Sequence, residues 1–255
     1  MQTTTSKYRL LNIDIDDFSM EAFISQYAEG IVVTPNVDHM MKLQGDAGFY
    51  ESYRKADYVV LDSRVILYLL RLFGVKLQGV IPGSELLPAF CDYHKDNSQI
   101  RMFLLGGIDG VAQDAALNIN HQAGRALVVD AYSPSMGFEK KPDEVEQIVK
   151  RINKSKATVL VIGVGAPKQE KWLLQHWREM PAIKMGMALG AALDFAAGNK
   201  KRAPRWMQKL GLEWLFRFLL EPSRMGKRYF VDDLPFFWLL IKQMRGRYKN
   251  PFGKN

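Results

Sequence analysis

Short apolar, β-rich runs at 31–33, 58–61, 101–105, 126–129, 158–162 and 184–189 are separated by stretches with apolar residues at helical spacing, among them 38–54, 109–121, 142–153 and 167–179. Several helical stretches open with start chemistry: Ser84 behind Pro82 and Gly83, Asp109 behind a glycine pair, and Pro142 followed by Asp143 and Glu144. Strands alternating with helices predict an α/β fold, a Rossmann-like and mostly parallel sheet with helices on both faces. The pattern changes near Gly198. From Lys200 onward the text is helical and basic, with breaks at Pro204, Pro222 and Pro235. Residues 1–198 are therefore expected to form the α/β domain and 199–255 a helical appendage.

Of the 255 residues 47% are hydrophobic and 24% charged, enough to bury a real core and too apolar for a disordered or collagen-like chain. The single cysteine, Cys91, allows neither an intrachain disulfide nor a multi-cysteine metal site, which fits a reducing compartment. The start MQTTTSKYRL lacks the apolar core of an export signal, so a cytoplasmic protein is expected. The net charge of +8 is concentrated at one end: residues 199–255 hold 14 Lys/Arg against 4 Asp/Glu, leaving 21 basic and 23 acidic residues before them. The same stretch holds 11 of the 29 aromatic residues, including Trp206, Trp214 and Trp238. Basic groups interleaved with aromatic ones suit an anionic membrane surface or a nucleic acid. The longest apolar run there, 234–241, is far short of the roughly 20 residues that cross a bilayer.

In open α/β sheets ligands bind beyond the carboxyl ends of the strands, and four predicted strand ends carry unusual chemistry. Asp62 closes an apolar run; it is either the cap of the following helix or a carboxylate used as a general base. Thr34 and Asn36 flank Pro35 and serve either a helix start or a ligand, with Asp38 and His39 close enough to face the same cleft. The segment GVGAPKQE (163–170) is a glycine-rich strand-to-helix turn, with Pro167 expected as the first helical residue. Such a turn aims backbone N–H groups at a diphosphate, or is simply tight. It lacks the third glycine of the dinucleotide fingerprint, where Lys168 stands, and this disfavours a nicotinamide-dependent oxidoreductase. Asp194, a turn beyond Gly190, is a second carboxylate with the same capping alternative. In the appendage Arg217, Arg224 and Arg228 are spaced close to one helical face, and Arg202 and Arg205 flank Pro204; they are a solvated face or a fork for a diphosphate.

As an ordered set, TPNVDHMMKL, VVLDS, FLLGG, GVGAPKQEKW and LGAALDFAAGNKKRAPRWMQKLGLEWLFRFLLEPSRMGKRY resemble the WecG/TagA/CpsF glycosyltransferases over nearly the whole chain. The resemblance implies a bacterial, metal-independent, inverting enzyme on the cytoplasmic face of the membrane. Its substrates would be a UDP-sugar and a polyprenyl-diphosphate-linked saccharide, for teichoic acid, common antigen or exopolysaccharide synthesis. No nucleic acid or cofactor is implied, and a homo-oligomer is compatible with it. Carried over by position, the base falls on Asp62, the acceptor-site polar pair on Thr34 and Asn36, with His39 beside them. The family glutamine falls on Gln169, its nucleotide-side aspartate on Asp194, beside the Gly163 and Gly165 turn read above as a nucleotide site, and the diphosphate-holding arginines on Arg202, Arg205, Arg217, Arg224 and Arg228.

Two positions depart from the family pattern. Ala-Asp-Gly at the base is Leu61-Asp62-Ser63 here, which keeps the carboxylate and narrows its backbone freedom. Arg-Val-x-Gly-x-Asp-Leu is Val80-Ile81-Pro82-Gly83-Ser84-Glu85-Leu86, so the arginine is lost to Val80 and the aspartate becomes Glu85. A different donor, or recruitment of Lys76 or Arg64, is the expected consequence. The rival from another class is a polyanion-binding module whose α/β body only binds a nucleotide.

Overall fold

A computed structural model describes residues 6–26 and 29–253. A hairpin, β1 (Lys7–Leu10) and β2 (Ile13–Asp16), precedes six strands: β3 (Gly30–Val33), β4 (Tyr58–Val59), β5 (Met102–Gly106), β6 (Val128–Tyr132), β7 (Val159–Gly163) and β8 (Met185–Ala188). The six form one sheet in the order β4-β3-β8-β7-β5-β6, with every pairing parallel. Parallel strands are buried on both faces, and the period of two divides their side chains between two cores. Ile31, Val33, Phe103, Leu105, Leu160 and Ile162 enter one core, while Val32, Met102, Leu104, Val159, Val161 and Met187 enter the other.

The predicted alternation therefore holds, with three differences. The stretch 38–54 is two helices, Val37–Gly45 and Ala47–Lys55, because Asp46 stops the first and its side chain accepts from Phe49 N to cap the second. The run 126–129 begins its strand two residues later, at Val128. The β1–β2 hairpin was not anticipated, since its text alternates charged with apolar residues and lacks a glycine turn; Leu11 takes the left-handed conformation at φ +49° instead. Its carboxylates are used structurally. Asp16 accepts from Val59 N at 2.8 Å and meets Lys7 at 3.1 Å, and Asp17 accepts from Gln78 N at 2.7 Å.

The prolines of the appendage start helices rather than merely break them. Pro204 precedes the helix Arg205–Lys209, and Pro222 and Pro235 are the first residues of Pro222–Lys227 and Pro235–Met244. Glu213–Leu220 and a π-helical turn, Arg228–Asp232, complete it. The last helix packs on Val37–Gly45 and buries Phe236 and Leu240 in the first core. Within it Gln243 accepts from Leu11 N at 2.7 Å and donates to Arg9 O at 2.6 Å, and beyond it Tyr248 donates to Gln44 at 2.7 Å. The end of the chain is thus anchored on its beginning, and the intervening helices lean over the carboxyl ends of the strands.

Candidate active site

One large cleft, about 1370 Å³, opens beyond the carboxyl ends of the strands and receives residues from the loops after all six. Its outer wall is the appendage, through Glu213, Trp214, Arg217, Arg224, Arg228 and Asp233. Pockets for a single small molecule run to about 300–1,000 Å³, and this cleft is larger.

Asp62 follows β4 and faces the cleft. The capping alternative goes to its neighbour: Ser63 accepts from Ile66 N and caps the helix Arg64–Leu72, which leaves the Asp62 carboxylate available. That carboxylate accepts from Gly83 N at 3.3 Å and is hydrogen-bonded by the Asn36 side chain. Burial pushes its pKa up to about 6, against the pull of the Arg217 charge and with a further push from Glu213. Asn36 has a second duty, since its Oδ1 accepts from His39 N and caps Val37–Gly45. Thr34 donates to Ala188 O at 3.3 Å and ties the end of β3 to that of β8. His39 lies among Phe49 and Tyr53, its Nδ1 2.7 Å from the Tyr53 hydroxyl. Burial drives its pKa down to about 3, so the ring is neutral.

Gly163, Gly165 and Gly190 line the cleft. Gly106, Gly163 and Gly190 succeed one another across the ends of β5, β7 and β8, so closely that a Cβ on Gly106 would lie 2.5 Å from Gly163 O and one on Gly163 2.5 Å from Gly190 O. Only glycine fits there. Gly165 in the turn after β7 and Gly190 in the turn after β8 both take positive φ, and Ala166-Pro167 is cis. The helix begins at Lys168, one residue beyond the predicted Pro167. Gln169 is buried, and its Oε1 accepts from both Gly165 N and Gly190 N at 3.2 Å while its Nε2 donates to Glu170 at 2.8 Å. Its amide therefore joins two cleft-lining turns. Glu170 is buried as well, and burial lifts its pKa to about 7 against the hydrogen bond from Gln169. Asp194 lines the cleft within Ala192–Ala196 and pairs with Lys200 at 3.0 Å rather than capping the helix.

The five appendage arginines do not converge. Arg217, Arg224 and Arg228 line the cleft; Arg202 and Arg205 are outside its lining. Arg217 is held by Glu213 at 2.5 Å and rests on the Phe195 ring. Arg228 lies 3.5 Å from Asp38 and 3.7 Å from Asp233, and Arg224 pairs with Glu221. Arg202 instead reaches Glu85, Ser84 and Gln208. Arg64 Nη2 donates to both oxygens of the same Glu85 at 3.0 Å, so that carboxylate gathers two arginines. Lys76 does not line the cleft.

Four residues with roles here were missed in the sequence: Lys42, Glu170, Glu213 and Asp233. Lys42 bridges Asp38 at 2.7 Å and Ala166 O at 3.4 Å. Asp233 is buried, with its pKa raised to about 6 by burial. Only Glu170 carried a readable signal, a carboxylate beside the expected glutamine. Among the described residues no group of three His, Cys, Asp or Glu side chains could hold a metal ion. The one Asp-x-Asp triplet near the start, Asp14-Ile15-Asp16, pairs with Arg9 and Lys7 in the hairpin.

Comparison with known proteins agrees with this architecture. Two curated Staphylococcus aureus proteins, from strains NCTC 8325 and COL, are each named N-acetylglucosaminyldiphosphoundecaprenol N-acetyl-beta-D-mannosaminyltransferase. Each is 27% identical to this chain over 257 residues, covering 97% of both sequences. The model of the glycosyl transferase WecG/TagA/CpsF family matches residues 8–250. The chain belongs to the WecG/TagA/CpsF family and is a glycosyltransferase.

Proposed function

We propose that this enzyme moves a sugar of the N-acetylmannosamine type, or a hexose or uronic acid, from a UDP-sugar to a polyprenyl-diphosphate-linked saccharide, with inversion and without a metal ion. The product would enter a bacterial cell-surface polysaccharide. The observation that carries the reading is Asp62, a cleft carboxylate that does not cap the helix following it, held near pKa 6 between Gly83 N, Asn36 and the Arg217 charge. Such a group is ionised at neutral pH and still basic enough to accept a proton. Asp62 takes the proton of the acceptor hydroxyl as its oxygen attacks the anomeric carbon. The bond to UDP breaks on the opposite face, and the diphosphate leaves with the electron pair. Gly165 and Gly190 line the cleft with nothing within 4 Å of the place a Cβ would take, so the donor can lie against backbone there, beside Gly163 and with Asp194 on the nucleotide side. Arg217, Arg224 and Arg228 supply positive charge to the diphosphates. Thr34, Asn36, His39 and Gln169 shape the cleft by holding its loops.

The same reading makes the enzyme peripheral on the cytoplasmic face of the membrane, where a polyprenyl acceptor presents its head group. No helix among the described residues is long and apolar enough to cross a membrane. Trp206, Leu210, Leu219, Leu220, Phe230, Val231, Leu234 and Trp238 of the appendage are each more than half exposed. The test is UDP release from a panel of UDP-sugars, with and without a short-chain polyprenyl-diphosphate-GlcNAc acceptor, in the presence of EDTA. Acceptor-dependent release from one donor is expected. Release abolished by EDTA would overturn metal independence, and silence with every donor and varied acceptors would favour a polyanion-binding role.

A further inference from the structure

Gln169 can bridge Gly165 N and Gly190 N in only one of its two amide orientations. With the oxygen toward them, one acceptor serves two donors at 3.2 Å each. Turned over, the NH₂ group would face two N–H groups and leave both without their protein acceptor. Gln169 itself is 1% exposed. What distinguishes the two orientations is the partner at the other end, and that partner is Glu170 Oε1, 2.8 Å from Gln169 Nε2. In its ionised form the Glu170 carboxylate accepts and does not donate, and it then selects the NH₂ end.

Glu170 is costly where it stands. It is 1% exposed and its second oxygen, Oε2, has no hydrogen-bond partner. A buried unpartnered carboxylate oxygen destabilises a fold, and an apolar side chain of similar length would be better tolerated by packing alone. We propose that Glu170 is a positioning residue: by fixing the orientation of the Gln169 amide it locks the turns after β7 and β8 together and sets the backbone surface on which the donor lies. The role rests on the donor site assigned above, but the locking itself does not depend on which donor binds. Glu170 touches no substrate and acts through Gln169 on the two glycines.

The experiment uses the ¹⁵N-labelled full chain, comparing wild type with E170Q, E170L, Q169E and the exchanged pair Q169E/E170Q. Hydrogen exchange of the Gly165 and Gly190 amides is read by NMR against Leu104 N in the sheet interior. Donor and acceptor KM are measured in parallel. In E170L both glycine amides exchange about tenfold faster, Leu104 N is unchanged, and donor KM rises about tenfold with acceptor KM little moved. E170Q is milder because its amide still offers an acceptor oxygen. Q169E sets two carboxylates against each other and loosens both turns. Q169E/E170Q restores one donor facing one acceptor, returns glycine exchange toward wild type and recovers donor KM, which a merely structural role of position 170 would not produce. Unchanged glycine exchange in E170L, or an exchanged pair no better than Q169E, would overturn the proposal. If E170L does not fold, E170Q and the exchanged pair decide. Absence of turnover with every UDP-sugar overturns the donor assignment, while the exchange data still decide the role of Glu170.

Discussion

Asp62 Oδ1 accepts the backbone N–H of Gly83 at 3.3 Å, and this contact joins the proposed base to the segment 80–86. Because the donor is backbone, the side chain at Val80 does not make this contact; the charge nearby is Glu85 with Arg64 and Arg202. The base is held near 6, so kcat/KM should fall about tenfold per pH unit below that value and level off above it. Asp62→Asn should lose about 10²–10⁴ in kcat and abolish the acidic limb. Near-normal turnover in that variant would eliminate Asp62 as the base.

The same substitution should stabilise the protein, with a defined pH window. A carboxyl whose folded pKa lies above its unfolded value binds its proton more tightly in the folded state. Its contribution is fully present below about pH 4 and is lost as pH rises through about 6. Asp62→Asn should therefore melt close to wild type at pH 4 and above it at pH 8, by on the order of 2 kcal/mol. Thermal melts of both proteins across that range give the answer. Equal melting at pH 8 would mean that Asp62 ionises without strain.

Gly163 should tolerate no side chain. A methyl there would lie 2.5 Å from Gly190 O and 3.1 Å from Leu193, and neither the backbone oxygen nor the buried leucine can withdraw. Gly163→Ala should cost about 1–3 kcal/mol by overpacking and weaken UDP binding more than stability. Gly165→Ala differs in kind, since no atom stands within 4 Å of its added Cβ; its cost would come from φ +86° alone. Calorimetric UDP titrations of the two variants separate close approach from backbone conformation.

The sheet was legible because its apolar runs are continuous and its helices are amphipathic, and the strand ends followed from the α/β rule. Asp62, Gly163, Gly165 and Asp194 were found in the cleft by that route. The hairpin was hidden because Asp14, Asp16 and Asp17 read as surface, whereas two of them are buried acceptors of backbone N–H groups. Burial of Glu170 and Asp233 was equally hidden, because it depends on which helices dock over them. Among the arginines, spacing brought Arg217, Arg224 and Arg228 to the cleft; Arg202 was drawn away by Glu85, a partner distant in sequence.

Gln243 should be the latch of the appendage. It accepts from the N–H of buried Leu11 and donates to the exposed Arg9 O, so Gln243→Ala leaves the Leu11 N–H unpaired at about 1–3 kcal/mol. Since Phe236 and Leu240 stay in the core, the sheet should remain folded while the helices between Glu213 and Asp233 loosen. Limited trypsin digestion should then cut faster at Arg224, Lys227 and Arg228, and polyprenyl-acceptor KM should rise. Wild-type cleavage rates would indicate that Phe236 and Leu240 alone hold the appendage.

Membrane docking should depend on both halves of the appendage surface. Leu219, Leu220 and Trp238 are exposed apolar groups, and Lys242 lies 5.5 Å from the Trp238 ring, a pairing that suits the boundary between acyl chains and anionic head groups. Apolar burial resists salt, whereas attraction to anionic lipid is screened by it. Leu220→Ser/Trp238→Ser should therefore weaken co-sedimentation with phosphatidylglycerol-containing vesicles at every ionic strength. Lys242→Ala/Arg245→Ala should weaken it mainly at low salt. Turnover of a water-soluble acceptor should fall far less than turnover of a long-chain one in both. If neither pair affects vesicle binding, the exposed appendage serves another partner, and removal of residues 200–255 would be no cleaner a test, because it also opens the core at Phe236.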